Sequence, residues 1–222
     1  MSTAEERPDL ENNDLVEYLQ RIGDALRPYA TLIAAAGGGL AAAAIAWAVI
    51  NANLAATRQQ SWDAYLAALT SGDTMSFNDV ADRYPGTEAG MWSRLVLADM
   101  ALTDGTVLAF RDRAGSRERL ETAVELYTAV LAENPGGLLA ERATFGLAKA
   151  RESLGEIDAA RRGYRVVADE FPESALAAVA RDHAELLARD STREWYDWFF
   201  AQEIRPPRQE ADDAAQPAAA EK

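Results

Sequence analysis

The sequence predicts an all-α protein in which one transmembrane helix is followed by a short helical solenoid. The stretch from Ala30 to Ile50 contains no charged side chain, and roughly 20 apolar residues are enough to cross a bilayer. Farther along, Tyr127 and Pro135 are followed 37 residues later by Tyr164 and Pro172. A recurrence at this interval is typical of proteins built from stacked helix pairs.

Composition excludes several classes of function. The chain has 222 residues, of which 49% are hydrophobic, so it can bury an apolar core. Its net charge is -14, from 36 acidic against 22 basic residues, and no surface able to hold a nucleic-acid backbone is therefore expected. The absence of cysteine excludes disulfides, thiolate metal sites, a cysteine nucleophile and a lipid-modified cysteine.

We interpret residues 1–29 as a cytoplasmic segment that contains an amphipathic helix. Asp14 is its predicted cap, and Pro28 is expected to end it. The helix could lie on the inner membrane surface or pack against a partner, since its carboxylates oppose binding to anionic lipid. The apolar residues at helical spacing are Leu15, Leu19, Ile22 and Leu26.

Residues 30–50 form the predicted transmembrane helix. A cleaved signal peptide is the alternative, because Ala46-Trp47-Ala48 fits a cleavage pattern, although the preceding segment is long and acidic for that role. Arg21 and Arg27 lie before the span and Arg58 lies after it. This bias favours an amino terminus in the cytoplasm.

Small residues recur every fourth position in the span and could let another membrane helix approach closely. An alanine-rich segment also produces such a stripe by chance, so both interpretations stay open. The candidate packing residues are Ala34, Gly38, Ala42 and Ala46.

Beyond the span, residues 55–190 are predicted to form three helix pairs and a closing helix. The first pair covers 56–70 and 75–84, the second 87–102 and 117–133, and the third 138–154 and 157–170. Residues 103–116 are expected to form an insertion within the second pair, and residues 174–189 a lone helix. The residues expected to pack the repeats are Phe77, Val80, Pro85, Ala123, Tyr127, Pro135, Leu147, Ala160, Tyr164 and Pro172.

The third pair resembles a tetratricopeptide repeat, because small, large and proline residues stand at that family's positions. Residues carrying the resemblance are Leu147, Ala148, Ala160, Tyr164, Val167 and Pro172. In such a repeat the small residues let paired helices touch, the tyrosine fills the gap, and the proline stops the second helix. Thr144 and Arg151 depart from the aromatic positions of the pattern.

At the carboxyl end, Ser191 and Glu194 have the spacing of a capping box. They precede five aromatic residues, Trp195, Tyr196, Trp198, Phe199 and Phe200. They predict an aromatic helix over 191–203 that covers the end of the stack, with docking to a membrane interface or a partner as the alternative. Residues 204–222 are rich in alanine, proline and acid and predict a disordered tail.

The whole layout is similar to the bacterial ancillary translocon subunit family, whose members are single-pass inner-membrane proteins with a periplasmic tetratricopeptide-like domain. The resemblance implies an adaptor that assists secreted proteins beside the translocon or links to periplasmic chaperones. It also implies that the carboxyl-terminal domain is periplasmic. A self-associating scaffold of an envelope complex is the alternative, so partners are other proteins or further copies of the chain.

No residue pattern indicates an enzyme, a cofactor or a metal site, since the one histidine, His183, has no nucleophile or ligand set beside it in sequence. The resemblance instead implies peptide binding on the concave face, which the first helix of each pair would form. Packing of Phe145 into the core and solvation of the charged residues is the alternative. The candidate peptide-binding residues are Arg142, Phe145, Lys149 and Glu152.

Overall fold

The computed structural model describes residues 17–22 and 27–202. Over these residues the chain is helical and contains no strand, which confirms the all-α prediction. Residues 17–22 are helical, and Arg27–Tyr29 form one 3-10 turn. The α-helices that follow in the described part are α1 Ala30–Ser71, α2 Thr74–Arg83, α3 Glu88–Leu108, α4 Arg113–Ala132, α5 Gly137–Ser153, α6 Ile157–Glu170, α7 Ala175–Leu186 and α8 Asp190–Ala201.

Some predictions fall on residues outside the described ranges. Of the predicted amphipathic helix, residues 17–22 are described as helix, and Pro28, its expected end, lies in the 3-10 turn Arg27–Tyr29. Asp14, Leu15 and Leu26 lie outside the described residues. The predicted tail, residues 204–222, also lies outside.

The chain divides into two compact units, Met1–Ala56 and Thr57–Lys222, and α1 contributes to both. In the first unit, the apolar part of α1 is exposed, including Leu40 and Trp47. Its most apolar 18-residue window has a mean hydropathy of 2.0. One amino-terminal helix is therefore long and apolar enough to cross a membrane.

Contrary to the prediction of a separate helix near 56–70, α1 continues from residue 30 to Ser71 without interruption. Residues 51–55 contain neither glycine nor proline, so nothing in this stretch stops the helical hydrogen bonding. The helix ends where Gly72 adopts a left-handed conformation, with φ +68, and donates its N–H to the Ala68 carbonyl. Glycine is favoured there because it has no Cβ to clash.

The second unit is built from consecutive packed helices. The first apolar cluster joins α1, α2 and α3 through Ala68, Phe77, Val80 and Leu97. Asp73 begins α2 by accepting the Ser76 N–H. The Ser76 hydroxyl donates to the same carboxylate and is the main cause that lowers the pKa of Asp73 to about 2. The end of α1 is thus part of the folded domain.

Two further clusters fill the rest of the second unit. One lies between α3, α4 and α5 and centres on Tyr127, and the other joins α5, α6 and α7 around Tyr164. Alanines at the helix contacts, such as Ala123 and Ala160, are fully buried, so neighbouring helices approach closely. Of the predicted packing residues, Phe77, Val80, Ala123, Tyr127, Ala160 and Tyr164 are buried and Leu147 is partly buried.

The three predicted packing prolines lie just beyond helix ends. Pro85 follows the end of α2, Pro135 the end of α4 and Pro172 the end of α6. Pro85 and Pro172 are exposed, and Pro135 is partly exposed. Their positions suit residues that cannot continue a helix, because proline lacks the N–H that the next turn would need.

The predicted insertion over 103–116 is mostly helical. α3 extends to Leu108 and α4 begins at Arg113, which leaves only residues 109–112 as a turn. Gly105, within the predicted insertion, lies inside α3, where its missing Cβ leaves room for Leu120. The buried hydroxyl of Ser116 donates to the Gly105 carbonyl at 2.7 Å. A close contact between α3 and α4 therefore explains this glycine.

Candidate functional site

The four candidate peptide-binding residues on α5 have different surroundings. Arg142 and Lys149 are exposed, whereas Phe145 and Glu152 are partly buried. The ring of Phe145 makes an edge contact with Tyr164, with centroids 5.5 Å apart. Within the described chain, Phe145 thus contributes to packing between α5 and α6, and Arg142 and Lys149 remain open to solvent.

Glu152 is the centre of a polar cluster that joins four helices. Its Oε2 accepts from the hydroxyl of Tyr164 on α6 at 2.6 Å, and its Oε1 accepts from Tyr196 on α8 at 2.7 Å. Nδ1 of His183, on α7, lies 3.4 Å from Oε2 but makes no hydrogen bond. The imidazole packs on Tyr164, with the two ring centroids 4.9 Å apart. Glu152 therefore holds α8 and α6 to the end of α5.

A second hydrogen bond between a tyrosine and a carboxylate lies in the preceding helix pair, α3 and α4. The Tyr127 hydroxyl on α4 donates to Asp99 on α3. Arg142 contacts the other oxygen of Asp99 at 3.5 Å, and its guanidinium lies 6.0 Å from the Trp92 ring centroid. Arg142, predicted as a ligand-binding residue, is thus already paired in the described structure.

Burial raises the pKa of the three tyrosines that donate to these carboxylates above the ordinary value for a tyrosine. Desolvation is the main cause at Tyr127, Tyr164 and Tyr196, and the nearby carboxylates add to it. A carboxylate that accepts from a phenol favours the neutral phenol. These hydroxyls therefore act as structural hydrogen-bond donors at neutral pH.

Among the residues that the structure describes, no three side chains of His, Asp or Glu are grouped so that they could hold a metal ion.

An open cleft of about 870 Å³ lies between the start of α4, the end of α5 and α8. We call it the α4–α8 cleft. Its apolar surface comes from α4, α5 and α8, and its charged residues are two arginines and one aspartate. The residues that define it are Arg113, Arg117, Leu120, Leu154, Asp197, Phe199 and Phe200.

Arg113 fixes the α8 wall of this cleft. Its Nη2 donates to the Phe199 carbonyl at 2.6 Å, and its guanidinium lies 4.4 Å from the centroid of the Phe199 ring and 5.4 Å from that of Phe200. Charge-assisted hydrogen bonding and cation–π attraction both favour this position. Phe199 also makes an edge contact with Phe110, in the turn before α4.

The aromatic helix predicted over 191–203 forms as α8. It was expected to cover the end of the stack, and its rings contact the turn before α4 and the turn after α5. Phe200 lies against Gly155, where a Cβ would come within 2.6 Å of the ring. Gly155 has φ +82 and ends α5. Trp195 and Trp198, on the other hand, are more than half exposed.

The contact between Arg113 and Phe199 was not predicted: Phe199 was expected only as part of the aromatic helix, and Arg113 lies in the predicted insertion over 103–116. The two residues are 86 positions apart. Arginine often packs on aromatic rings, so the run Arg111-Asp112-Arg113 and the aromatic residues near the carboxyl end were a usable signal for contact. Which arginine meets which ring depends on the fold.

The candidate membrane-packing residues Ala34, Gly38, Ala42 and Ala46 are all exposed on α1. A Cβ at Gly38 would meet nothing within 4 Å. The first unit therefore leaves this stripe accessible.

Comparison with known proteins adds no assignment to this geometry. No protein-family model matches the chain, and neither a curated protein nor a solved structure matches it significantly.

Proposed function

We propose that the protein is a noncatalytic, single-pass membrane adaptor whose carboxyl-terminal domain binds other proteins. The observation that carries this proposal is the exposed apolar part of α1, which precedes a domain of consecutive helix pairs. An apolar surface of this length is costly in water and suits a bilayer. Repeated helix pairs commonly present extended surfaces for binding.

We further interpret the domain as a tetratricopeptide-like solenoid. Supporting this, Tyr127 and Tyr164 are both fully buried in the second helix of a pair, and each donates to a carboxylate on the first helix. The same packing solution recurs 37 residues later. Small alanines at the helix contacts and prolines after α2, α4 and α6 fit the same interpretation.

The proposed orientation places the amino terminus in the cytoplasm and the domain in the periplasm of a bacterium. Arg21 and Arg27 before the span, against Arg58 after it, support this orientation. Proposed partners are translocon components, periplasmic chaperones or secreted proteins, in line with the family resemblance.

Topology is tested in intact spheroplasts with a carboxyl-terminal tag and external protease. The proposal expects the tag to be removed and an amino-terminal tag to be protected. A protected carboxyl-terminal tag on a protein that stays in the membrane after alkaline extraction would contradict the periplasmic location. Loss of the protein from the membrane during extraction would contradict the anchor.

A self-associating scaffold is the second candidate, and the accessible stripe on α1 supports it. Gly38→Ile would place a branched side chain where a second helix needs close approach. If the scaffold is correct, this variant abolishes self-cross-linking through α1, while Leu40→Ile, on another face, does not. Heterologous cross-links that persist in both variants favour the adaptor.

A further inference from the structure

We propose that the α4–α8 cleft binds an extended peptide that presents a carboxylate beside an apolar side chain. This inference rests on the proposed adaptor function, because it names the class of ligand that one surface of the domain would take.

Apolar side chains give the cleft a surface for the peptide's apolar residue. Leu120 is buried at its base, and Phe199 and Phe200 are partly exposed on the α8 wall. Partly exposed aromatic rings in a concave surface favour burial of an apolar group. The volume of about 870 Å³ is at the upper end of ordinary ligand pockets, and the open form suits an extended chain.

The charged residues of the cleft favour a carboxylate as the second group of the ligand. Two arginines, Arg113 and Arg117, and one carboxylate, Asp197, line the cleft, so the lining carries a net positive charge in a chain of net charge -14. Arg117 is exposed and makes no hydrogen bond or ion pair within the described residues. A guanidinium binds a carboxylate through paired charge-assisted hydrogen bonds.

The lining of the cleft fits an acidic peptide better than it fits a nucleic acid. Nucleic acid would need several phosphate contacts, whereas this cleft offers two arginines and a repelling aspartate. Arg113 is already held by the Phe199 carbonyl, which leaves Arg117 as the main site for the carboxylate. The carboxylate of Asp197 can accept a backbone N–H from the same peptide.

The test uses the full chain in nanodiscs of zwitterionic lipid and two fluorescein-labelled peptides. One peptide alternates leucine with glutamate, and the other carries glutamine in place of glutamate. Fluorescence anisotropy should show the glutamate peptide binding about tenfold more tightly, as one charge-assisted hydrogen bond predicts. Added salt should reduce that difference, because the exposed cation is screened.

Two variants locate the binding. Arg117→Gln should weaken the glutamate peptide about tenfold and leave the glutamine peptide unchanged. Arg119→Gln is the matched control, since Arg119 is exposed on α4 and does not line the cleft. Ala114→Trp, at an exposed position of the lining, should fill the cleft and weaken both peptides.

Equal binding of the two peptides, no binding by the full chain, or equal effects of Arg117→Gln and Arg119→Gln would overturn the proposal. Binding that appears only after removal of residues 203–222 would assign the cleft to the chain's own tail. A change in oligomer size with Arg117→Gln would assign it to a second copy. Cross-links formed in cells between other proteins and residues outside the cleft would support the adaptor function even if the peptide proposal fails.

Discussion

At the scale of single residues, buried tyrosines set the distance between paired helices. The ring of Tyr127 occupies space that Gly146 leaves open on α5, and its hydroxyl donates to Asp99. In the next helix pair, the Tyr164 hydroxyl donates in the same way to Glu152. The sequence predicted both tyrosines as packing residues, but not their acceptors, because Asp99 and Glu152 lie at different distances along the chain from their tyrosines.

Gly146→Ala should destabilise the domain. The new Cβ would lie 2.4 Å from the Tyr127 ring, and that ring is fully buried, so it has little room to move. Overpacking costs about 1–3 kcal/mol, whereas the gain in helix propensity is at most about 1 kcal/mol. The expected result is a lower urea midpoint by circular dichroism. Lys149→Ala, at an exposed position of α5, is the control, and equal midpoints would contradict the prediction.

Glu152→Gln should also lower stability. Two tyrosine hydroxyls donate to the two carboxylate oxygens, while the amide offers one oxygen and one NH₂ donor, so one hydroxyl loses its acceptor. The expected cost is about 1–3 kcal/mol, measured by urea unfolding. In the Tyr196→Phe background this cost should shrink, because only Tyr164 then needs an acceptor. An unchanged cost there would show that the two tyrosines do not share Glu152.

At the scale of helices, the structure corrects two predictions, and both corrections concern where a helix stops. α1 continues past residue 50, and α3 continues through Gly105. Glycine alone is a weak stop signal, because a tertiary contact can offset its cost of about 1 kcal/mol. The contact of Leu120 and Ser116 with Gly105 provides that offset.

Helix α8 should depend on Arg113. Arg113→Ala removes the hydrogen bond to the Phe199 carbonyl and the contacts with two rings. Amide hydrogen exchange over residues 190–201 should become at least about tenfold faster, since a charge-assisted hydrogen bond is worth ~1.5–3 kcal/mol. Arg119→Ala should leave this exchange unchanged. Unchanged exchange in Arg113→Ala would mean that other contacts hold α8.

At the scale of the whole molecule, stability should decline in alkaline solution. The folded-state pKa of Tyr127 and Tyr164 is raised above 10 by burial, so the unfolded chain loses these protons first. Their stabilising contribution is fully present below pH 10 and is lost as pH rises above it. Each tyrosine lowers the free energy of unfolding by at most about 1.4 kcal/mol per pH unit in that range.

Urea unfolding at several pH values above 10 measures this decline. Tyr164→Phe should reduce the slope, because it removes one linked proton. Thr128→Ala, at an exposed position of α4, removes no group that titrates in this range, so it is the control and should keep the slope. A slope that is the same in wild type and Tyr164→Phe would contradict the linkage.

By itself, the sequence determined the helical class, the long apolar helix and the burial of residues such as Tyr127 and Tyr164. These features follow from local periodicity, composition and side-chain size, all of which can be read along the chain. The continuation of α1 is also local, since residues 51–55 contain no helix breaker. Only the tertiary structure decided that α3 continues through Gly105, that Glu152 joins α6 and α8 to α5, and that Arg113 meets Phe199. Those outcomes depend on contacts between residues far apart in sequence, whose energies exceed the local preferences at helix ends.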